Sequence, residues 1–199
     1  MSITEFARAV EEEDILRAVL LAKGLGNIDE EYEVSGTWYT PVLHVLSRLS
    51  TELYPVVHTL LEAGANPNRP DSFGRSGIHF ANTKEMAETL IRYGANVQSI
   101  DLEGNTSLHE AHTWDDAETV KFLVGEGARV DEIDGHGYTP LHRSLVRGAT
   151  DISIALIDSG ANVNLRNKQG HTSIELCTLY GHGGDIVLGH IRNKLKSTL

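Results

Sequence analysis

The ten histidines are the side chains of this sequence best suited to catalysis or metal binding, because imidazole binds metals and exchanges protons near neutral pH. His109 and His112 lie three residues apart, with Glu110 next to the first of them. This spacing differs from H-E-x-x-H, which places two imidazoles on one helical face, and no third ligand lies nearby in the sequence. We therefore expect neither a metal site nor a cofactor.

The sequence also lacks the common catalytic motifs. It contains no G-x-S-x-G nucleophile pattern and no G-x-x-x-x-G-K-[ST] phosphate loop. Cys177 is the single cysteine, so it has no partner for an intrachain disulfide. We expect the chain not to be an enzyme.

One histidine closes the segment Gly137-Tyr138-Thr139-Pro140-Leu141-His142, and Gly104-Asn105-Thr106-Ser107-Leu108-His109 is a weaker copy of that segment. Thr106, Thr139 and Thr172 follow one another at intervals of 33 residues. A fixed period of roughly 20–50 residues is typical of stacked supersecondary units. The spacing therefore predicts a repeat solenoid rather than a closed globule.

The copy between residues 130 and 162 shows what one unit contains. Thr139 is a good helix N-cap, and Pro140 suits the first helical position. A second stretch of helical apolar spacing covers residues 151–159, and Gly160 can end that helix in a left-handed conformation. We predict two short helices behind each turn, and hence an all-α fold.

These residues resemble the ankyrin repeat, whose motif is T-P-L-H-x-A. Thr139, Pro140, Leu141 and His142 match the motif, and Ser144 stands in the alanine position. The resemblance implies a turn or β-hairpin followed by two antiparallel helices in each unit. It implies that Cys177, in the alanine position of its unit, is a small buried side chain. It also implies that the motif histidines tie adjacent turns together; they are His44, His79, His109 and His142.

The spacing divides the chain into about six units within a single domain, 1–199. We expect an N-terminal cap unit at about 1–29, internal units at 30–66, 67–96, 97–129 and 130–162, and a C-terminal cap unit at 163–199. A terminal unit needs one polar outer face. In the first unit we expect the apolar side chains to lie on the buried side; they are Phe6, Ala9, Val10, Ile15, Leu16, Val19 and Leu20.

Ankyrin-like chains hold their partners on the turn tips and on the inner face of the first helices. The segment from Asp29 to Tyr39 is longer than the other turns, and Ser35-Gly36 can reverse it into a hairpin. For the aromatic side chains the alternative is packing against a neighbouring turn, unit or loop. The predicted partner-binding residues are Tyr32, Trp38, Tyr39, Phe73, Arg75, Leu102, Glu103, Trp114, His136 and Tyr138.

The charge pattern indicates which partners to expect. The formal net charge is −11, and residues 1–66 alone carry eleven acidic and four basic side chains. Such a surface repels nucleic acids and anionic lipids and attracts basic proteins. No apolar run approaches the roughly 18–20 residues of a membrane span, and no secretory leader is visible. We expect a cytoplasmic monomer that binds neither nucleic acid nor membrane.

We therefore predict a protein-binding scaffold or adaptor whose partner presents a basic surface. Two alternatives stay open at this point. One is an immunity protein or inhibitor that neutralises a basic toxin or nuclease, and the other is a small-molecule sensor.

Overall fold

The computed structural model describes residues 2–48, 50–114, 116–180 and 183–197. These residues form eleven α-helices, one two-stranded hairpin and three short 3-10 helices at Thr51–Leu53, Gly77–Phe80 and Ala111–Thr113. The other elements, in chain order, are α1 (Ile3–Glu11), α2 (Ile15–Ala22), β1 (Tyr32–Val34), β2 (Thr37–Tyr39), α3 (Pro41–Ser47), α4 (Tyr54–Glu62), α5 (Lys84–Arg92), α6 (Ser107–Glu110), α7 (Ala117–Gly125), α8 (Pro140–Val146), α9 (Thr150–Asp158), α10 (Ser173–Tyr180) and α11 (Gly184–Ser197).

The chain divides into two compact units. The first unit contains Met1–Ala81 and Glu85–Leu102, and the second contains Asn82–Lys84 and Glu103–Leu199. Within the first unit α1 packs on α2, and α4 contacts both α2 and α3; within the second unit α8 contacts α6, α9 and α10. Each helix pair thus covers the apolar face of the next pair in its unit. The predicted all-α repeat fold is confirmed, whereas its treatment as one domain stays a prediction.

Helix α8 shows how the sequence sets the ends of these short helices. The hydroxyl of Thr139 accepts the backbone N–H of His142, and Pro140 occupies the first turn. Behind α8, helix α9 is followed by Gly160, whose φ of 100° is left-handed. The buried side chains between the two helices include Leu141, Leu145, Ile152 and Leu156. Both helices and their end signals are as predicted.

Two of the motif histidines, His109 and His142, have the structural role that the resemblance implied, whereas His44 bonds the side chains of Tyr32 and Glu11 instead. Nε2–H of His109 donates to the carbonyl of Tyr138 at 3.0 Å, and Nε2–H of His142 donates to the carbonyl of Leu165 at 3.1 Å. Both rings are completely buried. In each ring Nδ1 accepts a backbone N–H, from Thr106 and from Thr139 respectively. Each imidazole therefore joins two turns of the second unit and offers no free nitrogen for chemistry.

The burial expected for the N-terminal cap unit is wrong for two residues. Leu16 and Leu20 are 73% and 57% exposed, while Ala18 and Ala22 on the same helix are buried. Helix α2 has apolar residues on nearly all sides, so its pattern could not indicate which face packs inward. The small alanines are the buried side chains of this helix instead, and the exposed surface of this unit includes two leucines beside its polar side chains.

The segment before α3 forms the predicted hairpin. Ser35 and Gly36 both have positive φ, at 51° and 84°, which suits a tight turn between strands. The register pairs Tyr32 with Tyr39 and Glu33 with Trp38. Because cross-strand partners point to the same side, the two tyrosines share one face and Trp38 shares the other with Glu33.

Candidate functional site

Side-chain acceptors within the turns fix the geometry of the turn tips. Oδ1 of Asp71 accepts the backbone N–H groups of Phe73 and Arg75, both at 2.9 Å. A single buried carboxylate thereby holds two alternate positions of the tip in place. The same pair of bonds joins Asp134 to His136 and Tyr138, and Asn167 to Gln169 and His171.

Three large apolar side chains stand exposed on the tips of the first unit. Trp38 is 49% exposed, Phe73 is 54% exposed and Leu102 is 79% exposed. We call these three residues the tip ridge. Repeat packing does not require large apolar groups at a turn tip, so their exposure calls for a partner to cover them.

Backbone contacts bring the tips of the ridge together. The N–H of Leu102 donates to the carbonyl of Phe73 at 3.0 Å, and the N–H of Trp38 donates to Oγ of Ser72 at 3.4 Å. At Gly74 an added Cβ would lie 2.9 Å from Cγ of Leu102, so only glycine permits this approach. The three side chains of the ridge therefore stand on adjoining turns.

Arg75 supports the ridge from behind. Its guanidinium lies 4.9 Å from the ring centroid of Phe73 and 4.8 Å from that of Phe80. The same group pairs with the buried carboxylate of Asp71 at 2.8 Å. Because its charge is already balanced, we assign Arg75 to positioning Phe73 rather than to binding a partner directly.

Carboxylates surround the hairpin side of the ridge. Glu33 is exposed on the same face as Trp38, and Glu30 is exposed just before β1. Asp29 and Glu31 are already engaged, with the N–H of Asn66 and with Arg69 respectively. The carboxylate that the strand register places on the face of Trp38 is therefore that of Glu33.

The two hairpin tyrosines face inward, so the expectation that they are exposed anchors needs correction. Tyr32 is only 9% exposed, and its hydroxyl donates to Nδ1 of His44 at 2.7 Å. Nε2 of His44 faces the carboxylate of Glu11, also at 2.7 Å. Tyr39 is half-buried and stacks on the same imidazole, with ring centroids 5.7 Å apart. Both tyrosines attach the hairpin to His44 of α3. Trp38 alone of the hairpin aromatics faces outward.

In the second unit, three of the predicted residues line one cavity. Glu103, His136 and Tyr138 surround a space of about 270 Å³ together with Arg143, Val146 and Arg147. We call this cavity the arginine pocket. Its wall comes from the tip at 134–138, and its floor comes from the exposed face of α8. Trp114 is half-buried and does not line the pocket, so its partner-binding role stays a prediction.

Comparison with known proteins now identifies the fold family. A family model described as ankyrin repeats, in three copies, matches residues 43–134 and 113–188. The chain belongs to the ankyrin repeat family. Members of this family generally bind other proteins and are generally non-catalytic.

A solved structure resembles this ankyrin repeat chain over nearly its whole length. It is the crystal structure of an ankyrin repeat domain from Acinetobacter baumannii AYE, with a TM-score of 0.73 and 24% sequence identity. The match covers 93% of this chain and 96% of the other. At this identity the likeness shows the fold alone. A search of curated proteins finds no match.

Other kinds of site find no support within the described part of this ankyrin repeat chain. None of its His, Cys, Asp and Glu side chains form a group of three or more that could hold a metal ion. Cys177 is buried, as the alanine position implied, and burial raises the pKa of its thiol. Among the described helices, none has both the length and the apolar character needed to cross a bilayer.

Sequence reasoning missed the two arginines of the pocket. Arg143 and Arg147 are one helical turn apart, on the side of α8 opposite its buried leucines. The i, i+4 spacing of two cations on the outer face of an ankyrin helix was a readable signal. It was overlooked because the motif draws attention to Leu141 and His142 on the inner face.

Proposed function

We propose that this ankyrin repeat chain is a non-catalytic protein-binding scaffold and that the tip ridge is its main contact with the partner. The observation that carries this proposal is the exposure of Trp38, Phe73 and Leu102 on adjoining turn tips. Aromatic and large apolar groups held by a rigid framework are the usual anchors of protein interfaces. The family relationship supports the same general function.

We further propose that the partner presents a basic surface to the first unit. Glu33 stands exposed opposite Trp38, Glu30 is exposed just before β1, and the whole chain carries a formal net charge of −11. Exposed carboxylates around an apolar contact accelerate the approach of a cationic partner, and salt weakens this effect. In the second unit, Glu103, His136 and Tyr138 are proposed as further partner-binding residues.

Partner capture followed by affinity measurement tests this function. The tagged chain is used to isolate partners from its source cells, and each captured protein is identified by mass spectrometry and then purified. Trp38→Ala, Phe73→Ala and Leu102→Ala should each weaken its binding about tenfold or more, the range of interface hot spots. The association rate should fall as salt is raised from 50 to about 300 mM, beyond which screening is nearly complete.

Leu16→Ala is the matched control, because Leu16 is another exposed leucine of the first unit outside the ridge. All four variants should unfold at nearly the wild-type denaturant concentration. The proposal fails if the three ridge variants bind as tightly as the Leu16 variant. A captured partner whose own activity is blocked by the chain would favour the inhibitor alternative over a simple adaptor.

A further inference from the structure

The arginine pocket of the second unit has a charge arrangement that the acidic character of the chain does not explain. Two guanidinium groups lie on its floor, those of Arg143 and Arg147. Like charges at positions i and i+4 of a helix repel each other and disfavour the helix. The arrangement becomes favourable where each guanidinium has an anionic neighbour.

Arg143 already has such a neighbour. Its Nε and Nη2 lie 2.7 and 2.6 Å from Oδ2 of Asp134, and Nη2 also donates to Oδ1 of Asn105 at 2.8 Å. The Arg143 side chain is 19% exposed and the Asp134 side chain is fully buried. These bonds fix the guanidinium in one orientation, while Nη1 makes no hydrogen bond to any described residue.

Arg147 has no such neighbour within the described residues. Its side chain is exposed at the end of α8, and it forms neither an ion pair nor a side-chain hydrogen bond there. The positive charges of the two arginines also act on His112, in the 3-10 helix Ala111–Thr113. Burial lowers the pKa of His112, and the charges of Arg147 and Arg143 lower it further against the opposing effects of its bond to His109 and of Glu110. Among the described residues, Arg147 therefore brings to the pocket a positive charge that no ion pair engages.

The rest of the lining limits the kind of anion that fits. Val146 and the ring of Tyr138 offer apolar surface for methylene groups. Glu103 brings a negative charge to the rim, which disfavours a doubly charged group such as phosphate and can accept an N–H bond from a peptide backbone. A single carboxylate on a short aliphatic stem matches this set of groups.

We propose that the arginine pocket receives an aspartate or glutamate side chain of the protein partner, with its carboxylate on Arg147 and on Nη1 of Arg143. The inference rests on the proposed function, because it names one residue type of the partner that the scaffold binds. The partner then presents an acidic side chain to the second unit and a basic surface to the first unit. Arginine suits this task because its planar donors pair with both carboxylate oxygens.

Two capped amino acids test the proposal without knowledge of the partner. N-acetyl-glutamate N′-methylamide carries one side-chain carboxylate, and N-acetyl-glutamine N′-methylamide is its neutral isostere. Each is titrated into the ¹⁵N,¹³C-labelled full chain while NMR records the Nε–Hε signals of Arg143 and Arg147 and the methyl signals of Val146. The acid should give saturable shifts at these groups and bind about tenfold more tightly than the amide, which corresponds to one lost charge-assisted contact.

Arg147→Gln should abolish the preference for the acid, whereas Arg192→Gln should keep it. Arg192 is an exposed arginine of the same unit on α11, so the control makes the same change in net charge. Equal responses to the two probes, the absence of any response included, would overturn the proposal, as would an unchanged preference in the Arg147 variant.

The outcome is separable from that of the ridge experiment, because the ridge and the pocket lie in different compact units. Trp38→Ala should leave the response to the acid probe unchanged. If the chain responds to the probe but its ridge variants keep full affinity for the partner, the pocket proposal stands and the ridge proposal fails. The reverse result would retain the ridge and lose the pocket.

Discussion

Asp134 is the residue on which both the tip and the pocket of the second unit depend. Burial alone would raise the pKa of its carboxyl group, but the N–H of Tyr138, the Arg143 guanidinium and the N–H of His136 together hold that pKa below its usual value. The group is therefore an ionised carboxylate that completes a turn and orients an arginine at the same time.

Substitutions at Asp134 should separate these two tasks. Asp134→Asn keeps an oxygen for the two turn N–H groups, as Asn167 does naturally in the next tip, and should cost about 1 kcal/mol of unfolding free energy. Asp134→Ala leaves those groups and Arg143 without their partner and should cost about 3 kcal/mol. Urea denaturation followed by circular dichroism measures both values. Equal losses for the two variants would show that the turn bonds contribute nothing measurable.

The sequence was sufficient to predict the tip residues as a class but not the role of each. Ankyrin spacing placed Phe73, Arg75 and Tyr138 on turn tips, and the structure has them there. It could not show that Arg75 lies between two phenylalanine rings, because that contact depends on the distance between Phe73 and Phe80 in space. That Arg147 forms no ion pair with any described residue is likewise a property of its three-dimensional neighbours.

At the scale of the elements, the start of α3 lacks the side-chain capping hydrogen bond found at the start of α8. In α8 the hydroxyl of Thr139 donates a hydrogen bond to Nδ1 of His142 at 2.8 Å. In α3 the corresponding Nδ1 of His44 is taken by the Tyr32 hydroxyl of the hairpin. The hydroxyl of Thr40 is consequently buried with no hydrogen-bond partner in the described structure.

This difference predicts that the same substitution changes the free energy of unfolding differently at the two positions. Thr139→Val removes a bonded capping hydroxyl and should cost about 1 kcal/mol of unfolding free energy. Thr40→Val replaces an unpaired buried hydroxyl by a methyl group of the same shape and should be neutral or slightly stabilising. Both threonines are buried, so each variant serves as the control for the other. Similar losses at both positions in denaturant titrations would contradict this assignment.

The hairpin shows where prediction from sequence stops at this scale. Ser35-Gly36 correctly indicated the reversal, and the alternation of side chains along a strand separates Trp38 from Tyr39. Which of the two faces turns inward depends on the register with β1 and on the position of His44 beneath it. The sequence contains neither piece of information in a local pattern.

For the whole molecule, the period of 33 residues predicted stacked helix pairs because each pair must cover the apolar face of its neighbour. The exposed leucines of α2 were not predictable in the same way. Helical spacing identifies a buried stripe only when polar residues mark the other side, and α2 has few of them. The repeat pattern therefore specifies the inside of the stack better than its outer surface.

The buried histidines should make the stability of the whole molecule sensitive to mild acid. Burial is the largest cause that lowers the pKa values of His44, His112 and His142, and in each case it outweighs the neighbouring groups that act to raise the pKa. As the pH falls through about 6.5, the unfolded chain binds protons at these rings before the folded chain does. The unfolded state then binds more protons, so the free energy of unfolding decreases as the pH falls from about 7 towards 5.

Urea midpoints measured from pH 7.5 to pH 5 test this expectation. The lowered pKa of Asp134 affects stability only below about pH 4, so it does not contribute in this range. His112→Gln should flatten the decline because it removes one of the three rings whose pKa burial lowers, whereas His136→Gln, which removes an exposed imidazole, is the control for the loss of one histidine. A midpoint that stays constant or rises on acidification would mean that the imidazoles of this molecule gain protons on folding, the opposite of what their burial implies.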